Sequence, residues 1–93
     1  MGGTCKVATR QSIDACLQNC EEALGIAQQQ YEDASKQEHY NDDLYTQSQQ
    51  LLETAYNELE MMARSANDQQ RAQLARMRMQ IEQMQHNMIM LRH

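Results

Sequence analysis

The sequence predicts an all-α fold, an antiparallel three-helix bundle, and three observations carry that prediction. Apolar residues recur in alternating steps of three and four over most of the chain. There is no Phe, Trp or Pro and a single valine, Val7, which leaves few of the residues that sheets favour. All three glycines fall in the first 25 residues, so the rest of the chain holds neither of the usual chain breakers. At 93 residues the chain makes one small domain, near the size where a single core supplies only a few kcal/mol of net stability.

The first helix is expected over residues 12–36. Ile13, Leu17, Cys20, Leu24, Ala27, Tyr31 and Ala34 form one stripe, with Ser12 as N-cap and Asp14 in the first turn, where the helix dipole favours an acid. The second helix is expected over residues 42–64. Leu44, Tyr45, Leu51, Leu52, Ala55, Leu59 and Met62 give its stripe, and Asn41 followed by Asp42 and Asp43 reads as a cap with an acidic first turn. The first stripe, carried on by the same steps, lands on Tyr45, Ser48, Leu52, Ala55, Leu59 and Met62. Its register survives the proposed turn, so the alternative fold is a long hairpin with one helix from Ser12 to Arg64, dimerising as a coiled coil. The third helix is expected over residues 68–92, with Leu74, Met77, Ile81, Met84, Met88 and Leu91 in strict spacing and Asn67 and Gln70 placed as a capping box. Three helices of similar length with short connectors suit an up-down-up bundle. Its expected core is Ile13, Leu17, Cys20, Leu24, Tyr31, Leu44, Leu52, Leu59, Met62, Leu74, Met77, Ile81, Met84 and Met88.

Residues 1–11 read as a tail ahead of a single helical domain over residues 12–93. Gly2-Gly3, separated from Val7 by the three residues Thr4, Cys5 and Lys6, also fits a ribosome-binding sequence read through as protein. That reading expects translation in the host to start at Val7; the other expects a disordered N-terminal tail. No apolar run is long enough for a bilayer span and the first residues do not form a secretory signal. A cytoplasmic location is expected, and with it reduced thiols at Cys5, Cys16 and Cys20.

Chemistry is sparse. Cys16 and Cys20 lie one helical turn apart, half of a zinc ligand set, but in an up-down-up bundle His39, His86 and His93 fall toward the other end. No metal site and no cofactor is expected, and Cys20 reads as a core thiol. There is no phosphate loop, nucleophile elbow or H-E-x-x-H pair; no enzyme and no catalytic residues are expected.

Charge is unevenly spread, with a net −8 over residues 1–63 and +3 over residues 64–93. Arg71, Arg76 and Arg78 are candidate nucleic-acid contacts. The competing reading docks a basic third helix against two acidic ones, and the acidic balance of the whole chain favours it. The methionine stripe of the third helix reads as core, yet Met88, Ile89, Met90 and Leu91 are apolar around the whole circumference. They are expected to mediate self-association, as a homodimer, or partner binding.

The runs Ala8-Thr-Arg-Gln-Ser-Ile-Asp14, Ala34-Ser-Lys-Gln-Glu-His-Tyr-Asn-Asp42, Asn67-Asp-Gln-Gln-Arg71 and Arg76-Met-Arg78 resemble a small family of Bacillus proteins, the YtzC-like domain of unknown function. The resemblance spans roughly Val7 to Leu91. It implies a bacterial, cytosolic, helical protein that begins at the residue aligned with Val7, and it implies no activity, ligand or site. Within the middle run, Glu38, His39, Tyr40, Asn41 and Asp42 are polar enough to be exposed and form a candidate partner-binding patch with Tyr40 as its anchor. The alternative is that they only terminate and cap helices. The functional expectation is a small non-catalytic interaction module or adaptor for an unknown protein partner, with nucleic-acid binding as the alternative.

Overall fold

A computed structural model describes residues 10–36 and 42–91. It contains three helices, α1 (Arg10–Lys36), α2 (Asp42–Ala63) and α3 (Asp68–Leu91), and each packs against the other two. Cys20 Sγ donates to the Ala55 carbonyl at 3.9 Å between α1 and α2. Between α2 and α3, Tyr45 meets Met88 near one end and Glu60 meets Arg78 toward the other. Adjacent helices therefore run antiparallel, and the bundle is up-down-up. The continuous helix from Ser12 to Arg64 does not form, because α1 and α2 are separate helices packed side by side.

The start of α1 differs from the expected one. α1 starts at Arg10, so Ser12 lies inside the first turn rather than capping it, and Asp14 lies beyond that turn, which carries no acid. α2 begins on Asp42 and Asp43, acids that complement the positive end of its dipole. Asn41 and Arg92 lie outside the described residues.

The α2–α3 connection forms as expected. The last turn of α2 tightens through i to i+3 bonds from Arg64 and Ser65 to the Met61 and Met62 carbonyls. Asn67 Oδ1 then accepts from the Gln70 amide at 2.8 Å while the Asn67 amide donates to Gln70 Oε1 at 3.0 Å, a reciprocal capping box. Asn67→Ala removes one half of it. The expected loss is about 1 kcal/mol, seen as a fall in Tm of about 4–8 °C for a domain of this size.

Nine of the expected core residues are buried: Ile13, Cys20, Leu52, Leu59, Leu74, Met77, Ile81, Met84 and Met88. Leu17, Leu24, Tyr31 and Met62 are partly buried against them. Leu44 is a correction, being 45% exposed while its neighbour Tyr45 is 2% exposed. Tyr45, Leu52 and Leu59 stand seven residues apart on the buried row, so Leu44 falls one position to its side, in line with Leu51. Small residues complete the core at Cys16, Ala23, Ala27, Ser48, Ala55 and Ala66. The buried Ser48 hydroxyl donates to the Leu44 carbonyl at 2.8 Å, which satisfies it within its own helix.

Candidate interaction surface

The up-down-up arrangement gathers the C-terminus of α1, the N-terminus of α2 and the C-terminus of α3 at one end of the bundle. Tyr45 fixes this end. Its side chain is buried, and its hydroxyl donates to the Met88 carbonyl at 2.5 Å, one of the last four carbonyls of α3, which lack an intrahelical partner. Around this contact Asp42 is exposed, Ile89 is 62% and Met90 69% exposed, and Leu91 is half-buried. Met88 is a correction to the self-association group: it is wholly buried in the core. Of the partner-binding patch, Glu38, His39, Tyr40 and Asn41 lie outside the described residues, and Asp42 is placed at the same end as Ile89 and Met90.

Two arginines of α3, Arg71 and Arg78, reach α2. Arg78 Nη1 donates to Glu60 Oε2 at 2.9 Å, with both side chains nearly half exposed, and this contact raises the Arg78 pKa further. Beside it Tyr56 is pushed up, first by burial and then by the nearby Glu82 carboxylate. Arg71 Nε donates to the Ala63 carbonyl at 3.1 Å, closing the C-terminus of α2 where a cation is favoured by the dipole. Two of the three candidate nucleic-acid contacts, Arg71 and Arg78, are thus tied to α2 on the bundle surface, and Arg76 is exposed. The docking of a basic helix on acidic neighbours is realised at Glu60 and Arg78.

Cys16 and Cys20 are both buried free thiols, one helical turn apart on α1. Burial raises both, and the carboxylate of Glu58 raises both further; Cys20 reaches about 12 from an ordinary 9.0. Thiols held in this way are protonated at neutral pH and pack as small apolar side chains. Among the described residues no group of three or more His, Cys, Asp or Glu converges as a metal site. His86 is exposed, while His39, His93 and Cys5 lie outside the described residues.

A pH dependence follows. A thiol whose folded pKa lies above its unfolded value binds more protons in the native state between the two. The stability Cys20 contributes is whole below about pH 9 and is lost as pH rises toward about 12. Urea unfolding at pH 8 and pH 10.5 should show a falling midpoint for the wild type and a smaller fall for Cys20→Ala.

An open groove of about 700 Å³ runs between α1 and α3, lined by Leu24, Gly25, Gln28, Met79, Gln83 and Met84 among others. A Cβ at Gly25 would meet nothing within 4 Å, so no close helix contact requires this mid-helix glycine.

Three mutually packed helices, with polar side chains engaged in caps and interhelical links, define a small all-α bundle protein. The chain belongs to the family described as "Protein of unknown function (DUF2524)", which matches residues 7–90. It is similar to "Uncharacterized protein YtzC" of Bacillus subtilis (strain 168), with 52% identity over 84 residues covering 90% of this chain and 93% of that protein. This is the family that the four sequence runs resembled. No solved structure matches the chain. Among the described residues no helix is long and apolar enough to cross a membrane.

Proposed function

We propose that the protein is a small non-catalytic interaction module that recognises a protein partner through the end of the bundle formed by Asp42, Ile89 and Met90. The observation that carries this reading is the exposure of Ile89 and Met90 beside a fully buried Met88. The core at this end is closed by Met88 and Tyr45, so these two side chains are not needed inside it. Adjacent large apolar side chains left in water at a closed end favour cover by another surface. Asp42, the described member of the polar run over residues 38–42, stands exposed at this end as a candidate rim contact. A nucleic-acid role is the weaker reading, since Arg71 and Arg78 are engaged with Ala63 and Glu60.

The test places a photo-crosslinking residue at Met90, and at the exposed Ala72 as a control, in the native host. A discrete adduct at position 90, competed by unmodified protein and lacking at position 72, is the expected result. No adduct at position 90, or the same adducts at both, contradicts the reading. Light scattering of the purified protein across concentration shows whether the covering surface is a second copy.

A further inference from the structure

The two outer leucines of α2 lead to a second surface. Leu44, Leu51 and Glu58 are spaced seven residues apart and so form one row along α2. This row borders α1, because Glu58 raises the pKa of both Cys16 and Cys20 and the neighbouring Ala55 carbonyl accepts from Cys20. On α1 the flank with Leu24, Gly25 and Gln28 faces α3. The opposite flank therefore borders α2, and it carries the row Asn19, Ile26 and Asp33. The antiparallel register set by Cys20 and Ala55 puts Ile26 between the levels of Leu51 and Leu44.

The three apolar members of these rows are alike in exposure, with Ile26 at 48%, Leu44 at 45% and Leu51 at 42%. They line an outer seam about 10 Å long, the rise of two helical turns. The carboxylates around them are Asp33 and Glu58 at the ends of the rows, with Glu22 one turn from Ile26 and Asp43 next to Leu44. The described parts of α1 and α2 contain only two cations, Arg10 and Lys36, at the extreme ends of α1. Two copies of this seam placed face to face would oppose carboxylates with no cation between them, which disfavours a symmetric dimer here.

We infer that the α1–α2 seam is a docking groove for a basic amphipathic helix of a partner protein. Its apolar side chains, spaced by three or four residues, would seat on Ile26, Leu44 and Leu51, and its Lys or Arg side chains would meet Asp33, Glu58, Glu22 and Asp43. Helix-in-groove recognition uses this combination of apolar anchors and a charged rim, and the rim sets partner choice and association rate. The inference rests on the interaction-module reading in class but concerns a different surface from Ile89 and Met90.

The test titrates the full-length protein with a fluorescent 18-residue helical peptide made of leucine on one face and lysine on the other. Leu51→Glu is the decisive variant, because it removes an apolar anchor while adding charge that attracts the probe. Docking in the seam predicts binding at least 10-fold weaker for Leu51→Glu and for Ile26→Gln, with unchanged helical circular dichroism, and a shallower salt dependence for Glu58→Gln. Unchanged or tighter binding by Leu51→Glu means charge attraction alone and overturns the inference. Loss of binding in Met79→Glu instead would place the peptide in the α1–α3 groove and also overturn it. Failure of the wild type to bind the peptide rejects the seam, whereas the reading of the bundle end stands or falls on crosslinking at position 90.

Discussion

Ile81→Ala is expected to leave most molecules unfolded at 37 °C. Ile81 is fully buried at the middle of the α3 core row, between Met77 and Met84. Truncating such a side chain removes its transfer free energy and leaves a cavity, at a combined cost of about 2–5 kcal/mol. A bundle of this size holds a net stability of about the same amount, so the loss is comparable to the whole. Thermal unfolding followed by circular dichroism should show Tm lower by more than about 10 °C, using about 4–8 °C per kcal/mol for a domain of this length. A fall of only a degree or two would mean that Ile81 is not packed as described. Met79→Ala, two residues away and 67% exposed, is the matched control and should change stability by less than about 0.5 kcal/mol.

Tyr45→Phe is expected to give the second largest loss, although it removes a single oxygen. The ring stays in place at 2% exposure while the hydroxyl that donates to the Met88 carbonyl disappears. The carbonyl is then left near the end of α3 without that partner, at a cost of about 1–3 kcal/mol for an unsatisfied buried acceptor. Chemical denaturation should report this loss, with faster amide exchange confined to the last turn of α3. Unchanged exchange in that turn would show that Tyr45 does not hold it. Since Ile89 and Met90 follow Met88 directly, the same variant should weaken any contact made through the end of the bundle.

The fold was readable because the buried rows of α1 and α3 carry large apolar side chains at helical spacing and because Asn67 and Gln70 announce the start of α3. The α2 row was harder to read for a physical reason. Leucine and tyrosine stand side by side at residues 44 and 45, and preference for the more apolar side chain selects Leu44. The buried member is Tyr45, because a tyrosine can be buried when its hydroxyl has a partner, and that partner is a backbone carbonyl 43 residues away. Spacing alone pointed the right way, since the stripe of α1 carried through the turn lands on Tyr45 and Ser48 rather than Leu44 and Leu51. Small core residues such as Ala23, Ser48 and Ala66 escape a reading that counts large apolar positions. The charge imbalance showed that a basic α3 docks on acidic neighbours but not through which residues, because pairing Arg78 with Glu60 needs the antiparallel register of α2 and α3. The outer seam at Ile26, Leu44 and Leu51 becomes visible only once the core row has been assigned.

The brevity of the two connections, five residues between α1 and α2 and four between α2 and α3, has a kinetic consequence. Each antiparallel pair is joined by few residues, so many contacts close small loops and little chain entropy is lost before packing begins. Topologies rich in such contacts fold in about microseconds to milliseconds, and a chain without proline lacks the prolyl isomerisation that delays many refolding reactions by about tens of seconds. Stopped-flow refolding should accordingly finish in one fast exponential. In a chain that recloses faster than it is attacked, oxidants and proteases reach the interior in proportion to the open population, so Met77, Met84 and Met88 are shielded only as far as the bundle is stable.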